Sequence, residues 1–315
     1  MINLAEKNVI VTGGAGFLGS FVVETLKNRG CKNIFIPKYP EIDLTKLEDV
    51  KKMYKDFKAD VVIHLAGDVG GIAYNRANPG SVFYNNLMMN ILVQDEAYKA
   101  RVEKFVGIGS VCAYPKFAQI PFREEELWKG YPEETNASYG LSKKVMLEMS
   151  KAYKQQYDFN AVHLLMINLY GPRDNFDLET SHVIPALIRK FVDAKDEGKD
   201  TVYAWGDGSP TREFIYAGDA AEAIVLAAEK YSSPAPVNIG SGMEISIKAL
   251  TETIAKLVGF EGKIDWDTTK PNGQPRRCLD VSRAKEYFGY EAKVDFEEGL
   301  KKTIEWYRKT NVRRV

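Results

Sequence analysis

Along the first half of the chain, short and almost wholly apolar runs alternate with longer stretches of helical period. The runs are Asn8 to Thr12, Asn33 to Ile36, Asp60 to Leu65, Lys104 to Ile108 and Ala161 to Ile167, rich in Val, Ile, Leu and Phe. Between them Phe21, Val22, Thr25 and Leu26 recur at helical spacing, and helical pattern covers Thr45 to Phe57 and Ser81 to about Ala100. A strand buried on both faces reads as one continuous apolar run, whereas a helix packed on one side repeats with its own longer period. The pattern therefore predicts buried strands joined through helices. The fourth run leads into Gly109-Ser110-Val111-Cys112-Ala113-Tyr114-Pro115-Lys116, read as the tip of a central parallel strand. In open α/β sheets that end is where ligands bind. Beyond Gly171-Pro172 the pattern loosens into loops and shorter helices, and an amphipathic stretch from Phe296 to Tyr307 closes the chain.

Composition narrows the class. With 315 residues, 45% of them apolar, the chain can bury one large or two modest cores. Lys plus Arg equals Asp plus Glu at 43 each, so no overall field draws it to nucleic acid or to a membrane surface. Cys31, Cys112 and Cys278 are too scattered for a disulfide framework and predict reduced thiols. Met1 to Asn8 lacks a signal pattern, and glycines interrupt the apolar run that follows. A soluble, cytoplasmic protein without a metal site is expected.

The first run feeds Thr12-Gly13-Gly14-Ala15-Gly16-Phe17-Leu18-Gly19 and then a helix, so Gly14, Gly16 and Gly19 satisfy G-x-G-x-x-G in the setting a dinucleotide needs. Glycine lets backbone approach a pyrophosphate, and the helix N-terminus offers it free N–H groups. The second run ends at Pro37-Lys38-Tyr39-Pro40. Lys38 stands where NAD-binding folds carry a carboxylate, which favours a ribose phosphate and hence NADP over NAD. Asp43-Leu44 follows and either meets the adenine or caps the next helix, capping being the expectation. Ala66-Gly67-Asp68-Val69-Gly70-Gly71 is a second small-residue turn on the same edge. His64 is expected to be a satisfied core histidine, and Asn85-Asn86 and Met88-Met89 to serve packing.

Ser110 and Cys112 are two apart, so an extended chain would aim hydroxyl and thiol into one pocket. An isolated Ser-x-Cys is more often a turn serine beside a small buried thiol. Tyr139 and Lys143 are four apart, hence on one helix face, where the ammonium would lower the phenol's pKa toward that of a working acid or base. Lys270 to Arg277 is a turn-rich basic loop suited to a diphosphate or else simply solvated.

With Gly13-x-x-Gly16-x-x-Gly19, Ser110 and Tyr139-x-x-x-Lys143 in order, the chain resembles the extended short-chain dehydrogenase/reductases over essentially its full length. That resemblance implies an α/β fold, a doubly wound parallel (Rossmann) sheet with a smaller, discontinuous α+β substrate domain. Residues 1–172 would form the dinucleotide-binding domain, with 212–240 returning to it, and 173–211 plus 241–315 the substrate domain. It also implies a nicotinamide cofactor, a tyrosine acting on a carbonyl or alcohol, and a homodimer built through two helices.

A narrower set of motifs resembles the branch of that family that epimerises and reduces GDP-4-keto-6-deoxy-D-mannose. These are Val69-Gly70-Gly71-Ile72, the Gly109–Lys116 stretch, Asn168-Leu169-Tyr170-Gly171-Pro172, Asp174-Asn175-Phe176, Ser181-His182-Val183-Ile184-Pro185-Ala186-Leu187, Trp205-Gly206 and Arg212-Glu213-Phe214. The resemblance implies inversion at the two ring carbons flanking the ketone, then reduction of the ketone with NADPH. Ser110 and Tyr139 would face the oxygen, with Cys112 as base, His182 as acid, and Lys143 on the ribose. Cofactor contacts would come from Gly13, Gly16, Phe17, Leu18, Gly19, Lys38, Asp43, Leu44, Leu65, Ala66, Gly67, Tyr139, Lys143, Asn168 and Leu169. The GDP-linked sugar would meet Asn168, Val183, Lys190, Trp205, Arg212 and one of Arg276 or Arg277. Gly14 and Ala15 depart from the family, which more often has a basic residue early in this turn.

Other assignments stay open on sequence alone. An epimerase that never reduces, or a synthase for another GDP-4-keto sugar, would use the same Cys, His and Tyr. An NAD-dependent 4-epimerase of the UDP-galactose type needs no thiol and imidazole pair, and a non-catalytic redox sensor needs no Tyr139 and Lys143.

Overall fold

The computed structural model describes residues 1–270 and 272–311; Pro271 of the basic loop and residues 312–315 of the expected substrate domain lie outside them. In chain order the elements are β1 (Asn8–Thr12), α1 (Phe17–Asn28), β2 (Asn33–Phe35), α2 (Leu47–Asp56), β3 (Val61–His64), α3 (Ile72–Ala77), α4 (Pro79–Lys99), β4 (Lys104–Ser110), α5 (Ala137–Tyr157), β5 (Ala161–Met166) and β6 (Asn168–Tyr170). They continue with α6 (Val183–Asp196), β7 (Thr201–Trp205), β8 (Thr211–Tyr216), α7 (Ala217–Lys230), β9 (Val237–Ile239), β10 (Glu244–Ser246), α8 (Ile247–Val258), β11 (Lys263–Asp267), β12 (Arg276–Arg277), α9 (Ser282–Phe288) and α10 (Phe296–Asn311).

Each of the five apolar runs is a strand, and with β9 they form one parallel sheet in the order β2-β1-β3-β4-β5-β9. The chain reverses its direction of travel between β1 and β3, and the crevice at such a switch point is where an open α/β sheet takes a ligand. One face packs Phe21, Val22 and Leu26 of α1 with the alanine-rich α7. The other packs Val50 and Met53 of α2, Val93 of α4 and Met146 of α5. Helices on both faces leave β1, β3, β4 and β5 no solvent side, which is why they read as continuous rather than alternating runs, while the edge strand β2 stays partly exposed. The fold is thus the doubly wound α/β architecture.

A second core joins Ile188 and Phe191 of α6, Val202 of β7, Leu250 and Ile254 of α8, and Leu300 and Ile304 of α10. Beside it β8 pairs with β6, β10 and β12, while β7 pairs with β11. After β8, α7 and β9 carry the chain back to the large sheet. Among the described residues no helix is long and apolar enough to cross a membrane.

Two expectations about local structure resolve into hydrogen bonds. Asp43 does not cap α2, whose N-cap is Lys46 and has no side-chain cap bond; its carboxylate instead accepts from the Thr45 N–H at 3.0 Å and the Thr45 hydroxyl at 2.7 Å and closes the turn before the helix, while Leu44 is buried in the α2/α4 core. His64 is fully buried, its Nδ1 2.7 Å from Thr12 Oγ1 and its Nε2 3.1 Å from Asn90 Oδ1. Because the Asn90 amide donates to Ser142 O at 3.1 Å, its oxygen must accept from Nε2–H. The Thr12 hydroxyl, which also accepts from Ala66 N–H, then donates to Nδ1. The network specifies one neutral tautomer.

His64, Gly107 and His163 share one row across β3, β4 and β5. Burial, aided by the nearby Lys143 charge, brings both imidazoles down from the ordinary 6.5 to about 3. His163 differs in that neither ring nitrogen has a hydrogen-bond partner among the described residues. A histidine that stays neutral when folded but charges when unfolded stabilises the fold fully above its unfolded pKa and less as pH falls below it. His163→Leu removes that linkage and two unsatisfied atoms. Urea midpoints at neutral pH and at pH 5 should show the variant losing about 2 kcal/mol less on acidification than the parent; an equal loss would rule out a neutral His163.

Candidate active site

The site assembles at the carboxyl edge of the large sheet. Gly13 turns with φ +69°, and a Cβ there would lie 2.9 Å from Ala66 N, so the first turn sits directly against the tip of β3. A Cβ on Gly19 would lie 2.0 Å from Gly13 O, so only glycine lets α1 start this close to the strand. Gly16 caps α1 without a side-chain bond, leaving the N–H groups of Phe17, Leu18 and Gly19 available to an anion. A dinucleotide pyrophosphate fits that end. Lys38 is exposed just past β2, and Leu65 and Ala66 line the tip of β3.

The next wall is held by residues that sequence reasoning had assigned to packing. The Asn86 amide donates to Asp68 O at 2.7 Å and accepts from Asp68 N–H at 3.1 Å, and Asn85 donates to Asp68 Oδ2 at 2.9 Å. Asn86 and Asn90 are therefore structural hydrogen-bonders of the cleft. Asn86, Asn90 and Gln94, each one turn apart on the buried face of α4, were the available signal. On a Cβ built at Gly67, Lys143 Nζ would be 3.9 Å away, which brings the lysine to this same turn.

At the tip of β4 the structure corrects one expectation. The extended chain ends at Ser110, and Val111–Ala113 is a 3-10 turn in which Ser110 Oγ accepts from Cys112 N–H at 3.2 Å. Hydroxyl and thiol are neighbours through that cap, not through strand alternation. Helix α5 then crosses over the turn, so closely that a Cβ on Gly140 would lie 2.2 Å from Cys112 O. This contact sets Tyr139 beside Cys112 and, one helical turn on, Lys143 Nζ 5.6 Å from the centre of the Tyr139 ring.

The phenol's acidity is a second correction. Burial, and after it the neighbouring Cys112 charge, push Tyr139 above the ordinary tyrosine range, while burial brings Lys143 down to about 8. Desolvation outweighs the ammonium that sequence spacing had placed in control. Tyr139 is held protonated, as a proton donor requires.

His182 is the N-cap of α6, with an exposed side chain and an imidazole brought below its ordinary range by desolvation. Its loop is fixed by Asp177, whose carboxylate accepts from Glu179 N, Thr180 N and the Thr180 hydroxyl. Gly71 N donates to Thr180 O at 3.0 Å, joining this loop to the one after β3. No hydrogen bond links His182 to Cys112 among the described residues.

The substrate-side cations divide into two kinds. Arg276 is bound by Glu244, through Nε at 2.7 Å and Nη2 at 2.8 Å. Arg212 and Arg277 are register partners of β8 and β12, and neither has a carboxylate partner among the described residues. Burial and the Arg277 charge bring Arg212 down to about 10. Two guanidiniums side by side without a carboxylate between them have the chemistry to hold an anion. Farther out, Lys190 and Lys270 lie 5.4 and 5.5 Å from the Trp205 ring, Lys190 Nζ donates to Tyr203 O, and Val183 opens α6. Asn168 donates to Glu213 O at 2.9 Å across β6 and β8, and Leu169 packs on the large core.

This dinucleotide turn, with a Ser, Tyr and Lys set at the β4 tip, defines a class, and the family comparison agrees. The profile of the NAD dependent epimerase/dehydratase family matches residues 9–240. The chain belongs to that family of nicotinamide-dependent enzymes. Among its relatives, GDP-L-fucose synthase 1 of Arabidopsis thaliana is 40% identical over 301 residues, covering 96% of this chain and 93% of that protein. The GDP-L-fucose synthase of Escherichia coli (strain K12) is 34% identical over 313 residues, 96% of this chain and 97% of that protein. The solved structure of a GDP-L-fucose synthetase from Naegleria fowleri bound to NADP superposes with a TM-score of 0.86 at 27% identity, covering 96% of this chain and 94% of that one.

The close approach at residue 140 is directly testable. Gly140→Ala removes no functional group but drives a methyl into the Cys112 carbonyl, and should cost about 1–3 kcal/mol in urea unfolding together with most of the turnover. Gly80→Ala, on α4 with open space around it, is the control and should leave both unchanged or raise stability slightly.

Proposed function

We propose that this enzyme is a GDP-L-fucose synthase, which inverts carbons 3 and 5 of GDP-4-keto-6-deoxy-D-mannose and then reduces the 4-ketone with NADPH. The observation that carries the proposal is a thiol and a phenol side by side at the tip of β4, with Lys143 one helical turn beyond the phenol. The names of the relatives support the sugar nucleotide.

A proton on a carbon beside a ketone is removable because the electron pair it leaves spreads onto the oxygen. In this reading the Cys112 thiolate takes the proton, the C–H bond breaks as S–H forms, and charge gathers on the oxygen between the Ser110 and Tyr139 hydroxyls. His182 returns a proton from the opposite face, which inverts the carbon. Water then takes the proton from the Cys112 thiol and returns one to His182, and with both groups reset the second flanking carbon undergoes the same exchange. Bound NADPH would supply the hydride to the ketone carbon. Tyr139 gives its phenolic proton to the oxygen, and Lys143 holds the nicotinamide ribose. Phe17, Leu18 and Gly19 would hold the pyrophosphate by their N–H groups and Lys38 the ribose phosphate. Arg212 and Arg277 would hold the sugar's diphosphate, with Asn168, Val183, Lys190 and Trp205 around the rest of the substrate.

A cytoplasmic setting and a homodimer belong to the same proposal. Three unpaired cysteines support the first, and the exposed Phe83, Tyr84 and Val145 on α4 and α5 support the second.

Incubation with GDP-4-keto-6-deoxy-D-mannose in heavy water is the decisive experiment. Deuterium at both flanking carbons without NADPH, followed by NADPH consumption when it is added, is the expected result. Exchange without consumption would mark an epimerase, and no exchange would refute the proposal. Cys112→Ser should lower exchange by about a hundredfold or more, the scale of one proton-transferring group. Lys38→Ala should raise the KM for NADPH several-fold and leave that for NADH nearly unchanged; parallel changes would remove Lys38 from the ribose phosphate.

A further inference from the structure

Just ahead of and within β12, the side chains of Gln274 and Arg277 end on the stretch that carries Cys112. At the outer end of the loop between β11 and β12, Asn272 Oδ1 accepts from Asp207 N–H at 3.0 Å and fixes the loop to the turn between β7 and β8. At its inner end, Gln274 Nε2 donates to Lys116 O at 2.7 Å, and Gln274 Oε1 accepts from Arg277 Nε at 2.6 Å. Arg277 Nη1 then lies 3.8 Å from Cys112 Sγ, within reach of an N–H to sulfur hydrogen bond.

We propose that Arg277 is the charge partner of the Cys112 thiolate, and that Gln274 is the positioning residue that aims it. Two independent features support the pairing. Glu244 is engaged by Arg276, so the neighbouring arginine keeps its charge for the cleft. Gln274 ties the guanidinium to the carbonyl of Lys116, four residues along from the thiol, so cation and sulfur are fixed to one short segment. A fixed cation stabilises the thiolate, and the thiolate is the form that can accept a proton.

The pairing rests on Cys112 being the base proposed above and adds a group that touches the reacting sulfur. As Sγ takes the ring proton, the C–H electron pair moves to the ketone oxygen and the guanidinium loses its anionic partner. Arg277 then faces only the diphosphate beside Arg212.

The test uses the full chain without substrate. Iodoacetamide labelling at neutral pH, followed by mass quantification of the Cys112 peptide, reads thiolate availability at one site, because Cys31 and Cys278 are buried. Arg277→Met should slow labelling by about tenfold or more, and Arg277→Lys should recover part of it. Gln274→Ala, which keeps the guanidinium but frees it, should fall between parent and Arg277→Met. Labelling of Arg277→Met at the parent rate, with an unchanged unfolding midpoint, overturns the pairing. If that variant does not fold, Gln274→Ala and Arg277→Lys both labelling at the parent rate overturn it equally. Exchange of ring protons in heavy water should fall in the same order while NADPH binding is unchanged. If the parent itself exchanges no ring proton, the assigned reaction fails, while the labelling series still decides the pairing.

Discussion

Helix α5 lies so close to the carbonyl of Cys112 that position 140 has no room for a side chain. Most of the site's geometry follows from that one approach. Tyr139 precedes the contact and is carried to the sulfur; Lys143 follows it by one turn and is carried to the turn after β3. Ser142, between them, receives the Asn90 amide through its carbonyl, and Asn90 is joined through His64 to Thr12 at the dinucleotide turn. A single buried polar chain thus runs from the end of β1 to the catalytic helix. Every member has its partners satisfied, which lets such a chain specify geometry instead of destabilising the core.

The charge distribution follows from the same packing. Lys143 is buried over a row formed by two histidines with a glycine between them, and both histidines remain neutral, so no second cation is added beneath the ammonium. Across the cleft, Arg212 and Arg277 keep their charges because the carboxylate beside them, Glu244, is taken by Arg276. Lys143 at about 8 and Tyr139 above its ordinary range are two effects of one cause, removal from water. For the phenol this works in favour of the proposed chemistry. A group that must deliver a proton to a ketone oxygen benefits from being kept protonated until the oxygen becomes basic.

The large sheet was legible in the sequence because its inner strands are buried on both faces and leave unbroken apolar runs, and its glycine turn because G-x-G-x-x-G between strand and helix has one main physical use. The tip of β4 was legible in part: Gly109 and Ser110 end the strand, pairing with Leu165 and Met166 of β5, but the extended chain stops there and turns into a 3-10 turn over Val111–Ala113. The individual chemical groups could also be read, since Tyr139 and Lys143 share a helix face by spacing alone. Their electrostatics could not. Spacing places an ammonium near a phenol but says nothing of how much water the surrounding chain excludes, and here exclusion dominates. Nor could sequence distinguish Arg276 from Arg277. They are adjacent in one two-residue strand, and only the register of β12 on β8, with Glu244 on β10, separates the structural cation from the available one.

Gln274 shows the same limit from the other side. In sequence it is one polar residue in a turn-rich loop; in the fold it spans from the Lys116 carbonyl to the Arg277 guanidinium, two groups far apart along the chain. Asn272 does the equivalent at the outer end of the loop, on the turn after β7. Between them the loop bridges the part of the molecule that carries the thiol and phenol and the part that carries Arg212 and Trp205. A substrate seated across that boundary would have its reacting ring on one side and its diphosphate on the other. Holding both with one short segment correlates their positions, so that anchoring the diphosphate also fixes the ring carbons relative to the sulfur, which is what proton abstraction at a defined carbon requires.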